Sequence, residues 1–411
     1  MKDRARRAID DCKRIATMTE EPGRITRRFL TAPFHEVHAY LRGRMEALGM
    51  TTRVDAAGNL RGMWRPANAG DGQRLILGSH IDTVPNAGAY DGVLGVTVAL
   101  EWVQLAQERS LPLVIEVIAF SEEEGVRFGV PFIGSRAVAG RFDRALLKLE
   151  DADGILLEDA IRAFGLDPAE LEDAAIDANV AGFVEIHIEQ GPVLEAEGLD
   201  VAAVTAIVGQ SRLSLEFVGQ ANHAGTTPLH LRHDALAGAA EWIAAVEAIA
   251  RNADGLIATV GKIAVEPNAT NVVPGMAKVS LDARHARDVS RAVAVEDLVA
   301  TGQAIAGRRG LTLNATRQLD QPAIPMDERL TALLVEAMEA AGMPRKRMAS
   351  GAGHDAMVMA GKVPTAMLFL RSPRGVSHHP AEDVREEDVE AAMQVGLKFL
   401  ERLAAELQQI R

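Results

Sequence analysis

A chain of 411 residues exceeds the length at which a single hydrophobic core keeps growing, so two domains are expected. With 48% apolar and 25% charged residues it reads as an ordinary globular protein, and a net charge of -13 speaks against nucleic acid or an anionic membrane surface as partner, since both require a basic face. The start MKDRARRAIDDCKRIA lacks a secretory apolar stretch, no run approaches the roughly 20 residues of a membrane helix, and the single Cys12 excludes an intramolecular disulfide or thiolate cage; the protein reads as cytoplasmic, with any metal held by nitrogen and oxygen.

Helices are predicted over 3–18 and 35–48, then strands near 50–65 and 73–79. The stretch GSHIDTVPNAGAYDGVLGV follows, residues 78 to 96, and passes from the apolar run QRLILGS into helical spacing. That junction places His80, Asp82 and Asp91 at the carboxyl edge of a sheet, where open α/β folds put their ligands. Imidazole and carboxylate together suit a borderline divalent cation such as zinc or manganese, although a hydrogen-bonded turn uses the same residue types. A strand at 112–120 exits into SEEEGVRFG, where Glu122, Glu123 and Glu124 crowd three carboxylates that raise each other's pKa unless a cation neutralises them. In EIHIEQG, a strand at 183–188, the period of two puts His187 on one face with Glu185 and Glu189. The alternation of helix and strand predicts an α/β sheet with helices on both faces.

From Ser211 the pattern changes. SRLSLEFVG, a long helix in RHDALAGAAEWIAAVEAIARNA, strands in GLIATVGKIAVEPN and AKVSLDARH, a helix near 288–305 and the strand LTLNATRQL give the order of a split βαβ, ferredoxin-like unit. The domains are therefore expected as 1–210 with 325–411, interrupted by an insert at 211–324. After DQPAIP the α/β pattern resumes with a helix at 326–342, a strand at 365–370 and a final helix near 384–408. Two loops, GQANHAGTTP and RGVSHHPAED, each offer histidine beside glycine or proline.

GSHIDTV with its downstream DG, EEGVRF, HIEQGPVLE, ANHAGTTP followed by RHDA, PNATNVVPG with DARH, SGAGHDAMVMA and GVSHHPAE resemble, in order, the amidase and hydantoinase/carbamoylase branch of the M20 metallopeptidase family. The resemblance implies a catalytic α/β domain carrying two divalent ions (zinc or manganese, with cobalt or nickel also accepted by such donors), and an inserted lid and dimerisation domain in a homodimer. It also implies that His80 and His187 bind one metal, Glu124 and His378 the other, and that Asp91 bridges them. The acidic triplet leaves the register open by one position, and the EEG motif places the ligand at Glu124; the SHxP pattern selects His378 over His379. Glu123 is then the general base and Asp82 the partner of the His80 ring.

The same resemblance gives Arg284 the substrate carboxylate, Asn271 and His223 the ureido carbonyl and oxyanion, and Gln190 and Gln210 further substrate contacts, with His223 serving the partner subunit's site. The implied reaction is hydrolysis of a ureido C–N bond in a small carboxylate, with allantoate preferred. N-carbamoyl-L-amino acids and N-carbamoyl-β-alanine are the alternatives. A dipeptidase, an aminoacylase or a non-catalytic metal protein fits less well, because a structural site needs no spare base such as Glu123.

Overall fold

The apolar run from Leu75 to Leu77 and its neighbours form a strand, Arg74–His80, that is buried along its whole length in a computed structural model describing residues 1–69 and 72–409. Burial on both faces is what a central parallel strand requires, and it explains the unbroken apolar character of this run and of Val114–Phe120. The spatial order is Thr51–Val54, Leu60–Trp64, Val114–Phe120, Arg74–His80, Val180–Ile188, Thr365–Leu370 and Val201–Ile207. Arg74–His80 runs parallel to both neighbours and Thr365–Leu370 parallel to Val180–Ile188, while Leu60–Trp64 and Val201–Ile207 pair antiparallel, so the sheet is mixed.

Helix Val93–Glu108 connects two of the parallel strands and packs against the helices Lys2–Ala16 and Glu386–Gln409. Its buried Glu101 is matched by Arg7 at 2.7 Å, Arg4 at 3.2 Å and Arg44 at 3.3 Å, so a charge in the helix layer is held by three cations. The predicted 50–65 strand is two strands joined by a turn, in which the Asp55 side chain accepts the N–H groups of Ala57 and Asn59 at 3.1 Å. Strand Val201–Ile207, from the apolar run VAAVTAI ahead of Ser211, is one more than the sequence pattern predicts.

The chain forms two compact units, Met1–Thr205 with Met326–Arg411, and Ala206–Pro325. In the second, strand Gly209–Val218 pairs antiparallel with Met276–His285 on one side and Thr312–Gln321 on the other, and Ile263–Glu266 lies beyond Met276–His285. Alternate residues of Gly209–Val218 are buried, among them Leu213, Leu215 and Phe217. They share a core with Trp242 of helix Ala235–Asn252 and Leu298 of helix Asp288–Arg308, where the Trp242 indole donates to the Leu298 carbonyl at 2.8 Å. Asp234 caps the first of these helices by accepting the Ala237 N–H at 3.0 Å, which gives the RHDA run a local purpose. At its two ends this unit closes on itself, with Ile207 opposite Ile324 and Ala206 opposite Pro325 in an antiparallel pair.

Candidate metal centre

His80 ends strand Arg74–His80, and His187 is the last but one residue of its parallel neighbour Val180–Ile188, so both imidazoles emerge at the carboxyl end of the sheet. Their Nδ1 atoms meet main-chain oxygens, that of Asp82 at 3.1 Å for His80 and that of Ile188 at 2.8 Å for His187. Placing each proton on Nδ1 leaves both Nε2 lone pairs turned to Asp91 Oδ1, at 3.5 and 3.1 Å. Asp91 Oδ1 is buried and accepts no hydrogen bond among the described residues. An orphaned carboxylate oxygen between two nitrogen lone pairs is costly by itself and well suited to a cation.

The other oxygen, Oδ2, accepts from Ser377 Oγ at 2.8 Å and Gln190 Nε2 at 2.9 Å, and lies 3.3 Å from His378 Nε2. Glu124 Oε1 is 3.5 Å from the same His378 nitrogen. Ligand-type atoms of His80, Asp91 and His187 thus gather within 4.8 Å, those of Asp91, Glu124 and His378 do likewise, and Asp91 belongs to both groups. This nitrogen and oxygen donor set fits two divalent ions sharing one carboxylate.

The acidic triplet is sorted by its backbone. Glu122 turns at φ 47, and its Oε1 accepts the Arg127 N–H at 3.0 Å, so it stabilises its own turn while Glu123 and Glu124 line the pocket. The Asp82 carboxylate accepts the N–H groups of Glu123 and Glu124, each at 3.0 Å. Its role thus differs in emphasis from the expected one: the nearer partner of the His80 ring is the Asp82 carbonyl, and the carboxylate oxygen stands off at 3.5 Å because the turn claims it. Burial, opposed by His80 and reinforced by Glu124, Asp355 and Asp82, pushes Glu123 well above the usual carboxylate range. Burial raises Glu124 to about 7. Burial opposes the charge on Asp91; with the rings protonated at Nε2, His187, His378 and His80 would together hold it well below its ordinary value, the compensation that a cation supplies when the rings are neutral.

Gly92 explains the DG pair: it sits at φ +67, and a Cβ there would lie 2.5 Å from the His80 ring. Gln190 and His378 also adopt left-handed backbone, at φ 58 and 56, so conformational strain collects around Asp91. His379 accepts the Ala381 N–H at 3.1 Å within its own loop, whereas His378 faces Asp91. Glu185 and Glu189 behave as structural groups. Glu185 accepts from Ser79 Oγ at 2.9 Å and the Ala356 N–H at 2.7 Å, and Glu189 caps helix Val193–Glu197 through the N–H groups of Val193 and Leu194. The reading of residues one by one gave no role to His354, a buried ring 4.5 Å from that of His187, or to Glu382. Their motifs, SGAGHDA and SHHPAED, were the available signals.

Gln210, His223, Asn271 and Arg284 lie in the second unit. Gln210 and Arg284 are opposite each other on paired strands and converge on Asp282, which accepts from Gln210 Nε2 at 2.6 Å, Arg284 Nε at 2.9 Å and Arg284 Nη2 at 3.2 Å. His223 pairs with Val272, and the Ala224 N–H donates to the Asn271 carbonyl at 2.9 Å, so the two exposed residues lie on neighbouring backbone segments. His223 Nδ1 accepts the Gly225 N–H at 3.1 Å, which leaves its proton on Nε2 as a donor.

Residues 76–402 match peptidase family M20/M25/M40, and the chain belongs to that family. It is 37% identical over 431 residues to an allantoate deiminase of Arabidopsis thaliana, covering 96% of this chain and 81% of that protein. An N-carbamoyl-L-amino acid amidohydrolase of Geobacillus stearothermophilus is 37% identical over 376 residues, covering 91% and 92%. The crystal structure of an amidase of the hydantoinase/carbamoylase family from Burkholderia multivorans matches with a TM-score of 0.89 at 31% identity, over 97% and 98% of the two chains. The family resemblance carried by the motifs is borne out.

Proposed function

We propose that the protein is a metal-dependent amidohydrolase that cleaves the ureido C–N bond of allantoate with one water, releasing ammonia and carbon dioxide and leaving ureidoglycine, which a second water converts to ureidoglycolate with loss of a second ammonia. The observation that carries this reading is the orphaned Asp91 Oδ1 between the Nε2 atoms of His80 and His187, with Glu123 in the same pocket. His80 and His187 would hold one ion, Glu124 and His378 the other, and Asp91 both. When bound, the two ions supply Lewis-acid polarisation and make a water nucleophilic at neutral pH. Glu123 takes that water's proton and delivers it to the leaving nitrogen, a task helped by a pKa raised through burial. Arg284 receives the substrate carboxylate on a guanidinium already oriented by Asp282. Asn271 and the Nε2–H of His223 donate to the ureido oxygen as negative charge develops on it, and Gln190 and Gln210 complete the polar contacts.

The unit Ala206–Pro325 is read as a ferredoxin-like lid and dimerisation domain, supported by its strand order and the two helices packed on its sheet. In this reading the enzyme is a cytoplasmic homodimer acting on a small molecule. Zinc or manganese is the preferred metal, and cobalt or nickel suits the same donors. No helix among the described residues is long and apolar enough to cross a membrane. Hydrolysis of N-carbamoyl-L-amino acids or N-carbamoyl-β-alanine is the second reading, favoured by the Geobacillus relative and by substrates that share the carboxylate and ureido handles.

Protein loaded separately with manganese and zinc should be given allantoate, N-carbamoyl-β-alanine and several N-carbamoyl-L-amino acids, with ammonia release measured. The highest kcat/KM is expected on allantoate. Preference for an N-carbamoyl amino acid moves the assignment to the second reading, and turnover of dipeptides alone removes both.

A further inference from the structure

Glu382 belongs to the loop that carries His378, and it is 6% exposed. Its Oε1 accepts two main-chain N–H groups from a distant segment, Tyr90 at 2.9 Å and Asp91 at 3.0 Å. Its Oε2, at 3.1 Å, shares the single proton of the Ser377 hydroxyl with Asp91 Oδ2, at 2.8 Å, in a three-centre hydrogen bond. One carboxyl group therefore grips Asp91 twice, directly at its backbone and through Ser377 at its side chain. Gly88 supplies an independent sign of a built arrangement, because a Cβ there would stand 2.4 Å from the Glu382 side chain. The loop before Asp91 is wrapped closely enough around Glu382 that only glycine fits at that point.

We propose that Glu382, acting through Ser377, is a positioning residue that sets the plane of the Asp91 carboxylate for two cations. The proposal rests on the reading of Asp91 as a bridge. A bridging carboxylate has to present one oxygen to each ion, and rotation about its Cβ–Cγ bond would misdirect both. Anchoring the Asp91 N–H fixes where the side chain starts, and the Ser377 hydroxyl at Oδ2 fixes how it is turned. Gln190 Nε2 adds a second donor to the same oxygen, while Oδ1 is left for the cation flanked by His80 and His187. Because Glu382 joins segments 291 residues apart, it also sets the Asp91 loop against the loop of His378, which places the two halves of the centre in register. Partners one step removed from a metal ligand commonly change metal affinity by ~10–100-fold when altered.

The test is a cobalt(II) titration of metal-free protein followed by visible absorption, with bound metal counted by elemental analysis and thermal melting measured in parallel. Glu382→Met should weaken cobalt binding by ~10–100-fold and alter the ligand-field bands. Glu382→Gln should keep the affinity and spectrum of the parent, since its carbonyl oxygen still accepts both N–H groups and its amide donates to Ser377. Ser377→Ala removes only the side-chain limb and should weaken cobalt by a smaller factor; if Glu382→Met does not fold, this variant decides. A residue that merely staples two loops would lower the melting temperature with cobalt binding unchanged, and parent-like titrations of both Glu382→Met and Ser377→Ala overturn the proposal. Asp91→Asn serves as the reference. Should it still bind two ions as tightly as the parent, the bridging reading and the positioning role fall together; should it lose them while the other variants do not, only the positioning role falls.

Discussion

Asp91 and Asp282 are both carboxylates surrounded by nitrogen, one with a side chain 4% exposed and the other 26% exposed. Asp282 is complete: Arg284 from its own strand and Arg212 and Gln210 from the adjacent one supply its cations and donors. Asp91 is incomplete, because the groups nearest its Oδ1 are imidazole nitrogens whose protons are used elsewhere. A carboxylate neutralised by its own chain needs no ion, whereas a buried one facing lone pairs does. On the proposed function the contrast separates two kinds of work: the first unit would leave charge to be filled by metal, and the second would arrange charge for a substrate.

The largest expected effect tests the incomplete carboxylate. Asp91→Asn should empty or scramble the metal pair and abolish turnover, more severely than His80→Ala or His378→Ala, whereas Asp282→Asn should leave metal content unchanged. Elemental analysis with steady-state kinetics distinguishes these, and retention of two ions by Asp91→Asn would break the contrast. Next, Glu123→Gln should keep both ions and lose ~10²–10⁴-fold in turnover, because an amide cannot accept the water's proton. Loss of metal in that variant, with retention in Glu124→Gln, would mean that the register of the acidic triplet is shifted.

Substitutions in the second unit should spare the metal. His223→Ala should cost about 2.7–4 kcal/mol in turnover, as for a lost oxyanion donor. If His223 serves the partner subunit, mixing His223→Ala with Glu123→Gln subunits should give heterodimers with about half the normal activity, from the one intact site that two-fold symmetry leaves. Demonstrated subunit exchange without recovery would place His223 in its own subunit's site or in none. Arg284→Lys should raise KM by a factor corresponding to about 1.5–3 kcal/mol with folding unchanged. Equal cleavage of an uncharged carbamoyl amide by the parent would remove the carboxylate-clamp role.

The smallest effect concerns a group outside both sites. Burial, with the charges of His35 and Arg42, lowers His38 from 6.5 to about 3, so the unfolded chain binds a proton first as the pH falls. Stability from this group is complete above pH 6.5 and is lost below it, by about 2 kcal/mol at pH 5. In denaturant melts of metal-free protein, His38→Asn should flatten the fall in stability between pH 7 and pH 5. An unchanged slope would assign the acid sensitivity elsewhere.

Legibility followed the physics of each element. Arg74–His80, Val114–Phe120 and Thr365–Leu370 are apolar runs that read as strands, and all three are buried along their length, because burial on both faces demands that composition. Val201–Ile207 has the same composition but does not stand out as a separate strand, since its run of alanine and valine merges with the strand that follows. His80, Asp91, His187 and His378 stood out by residue type. Glu382 did not, since one acid among several in PAEDVREED looks solvated until Tyr90, Asp91 and Ser377 are seen around it. The direction of the Asp82 carboxylate was likewise illegible, because it depends on a left-handed turn at Glu122.

The pairing of Ala206 with Pro325 has a consequence for how such a chain is assembled and taken apart. A stretch of this length that leaves and re-enters a fold through two adjoining strands behaves as a graft: its ends are already stitched together, and closing it costs no more loop entropy than closing a hairpin. Excised at that seam and joined end to end through a short turn, residues 206–325 should melt in a calorimeter as their own cooperative transition, with the Leu213, Phe217 and Trp242 core intact. The recipient could be rejoined at the same stitch, which makes the seam a natural place to exchange one graft for another.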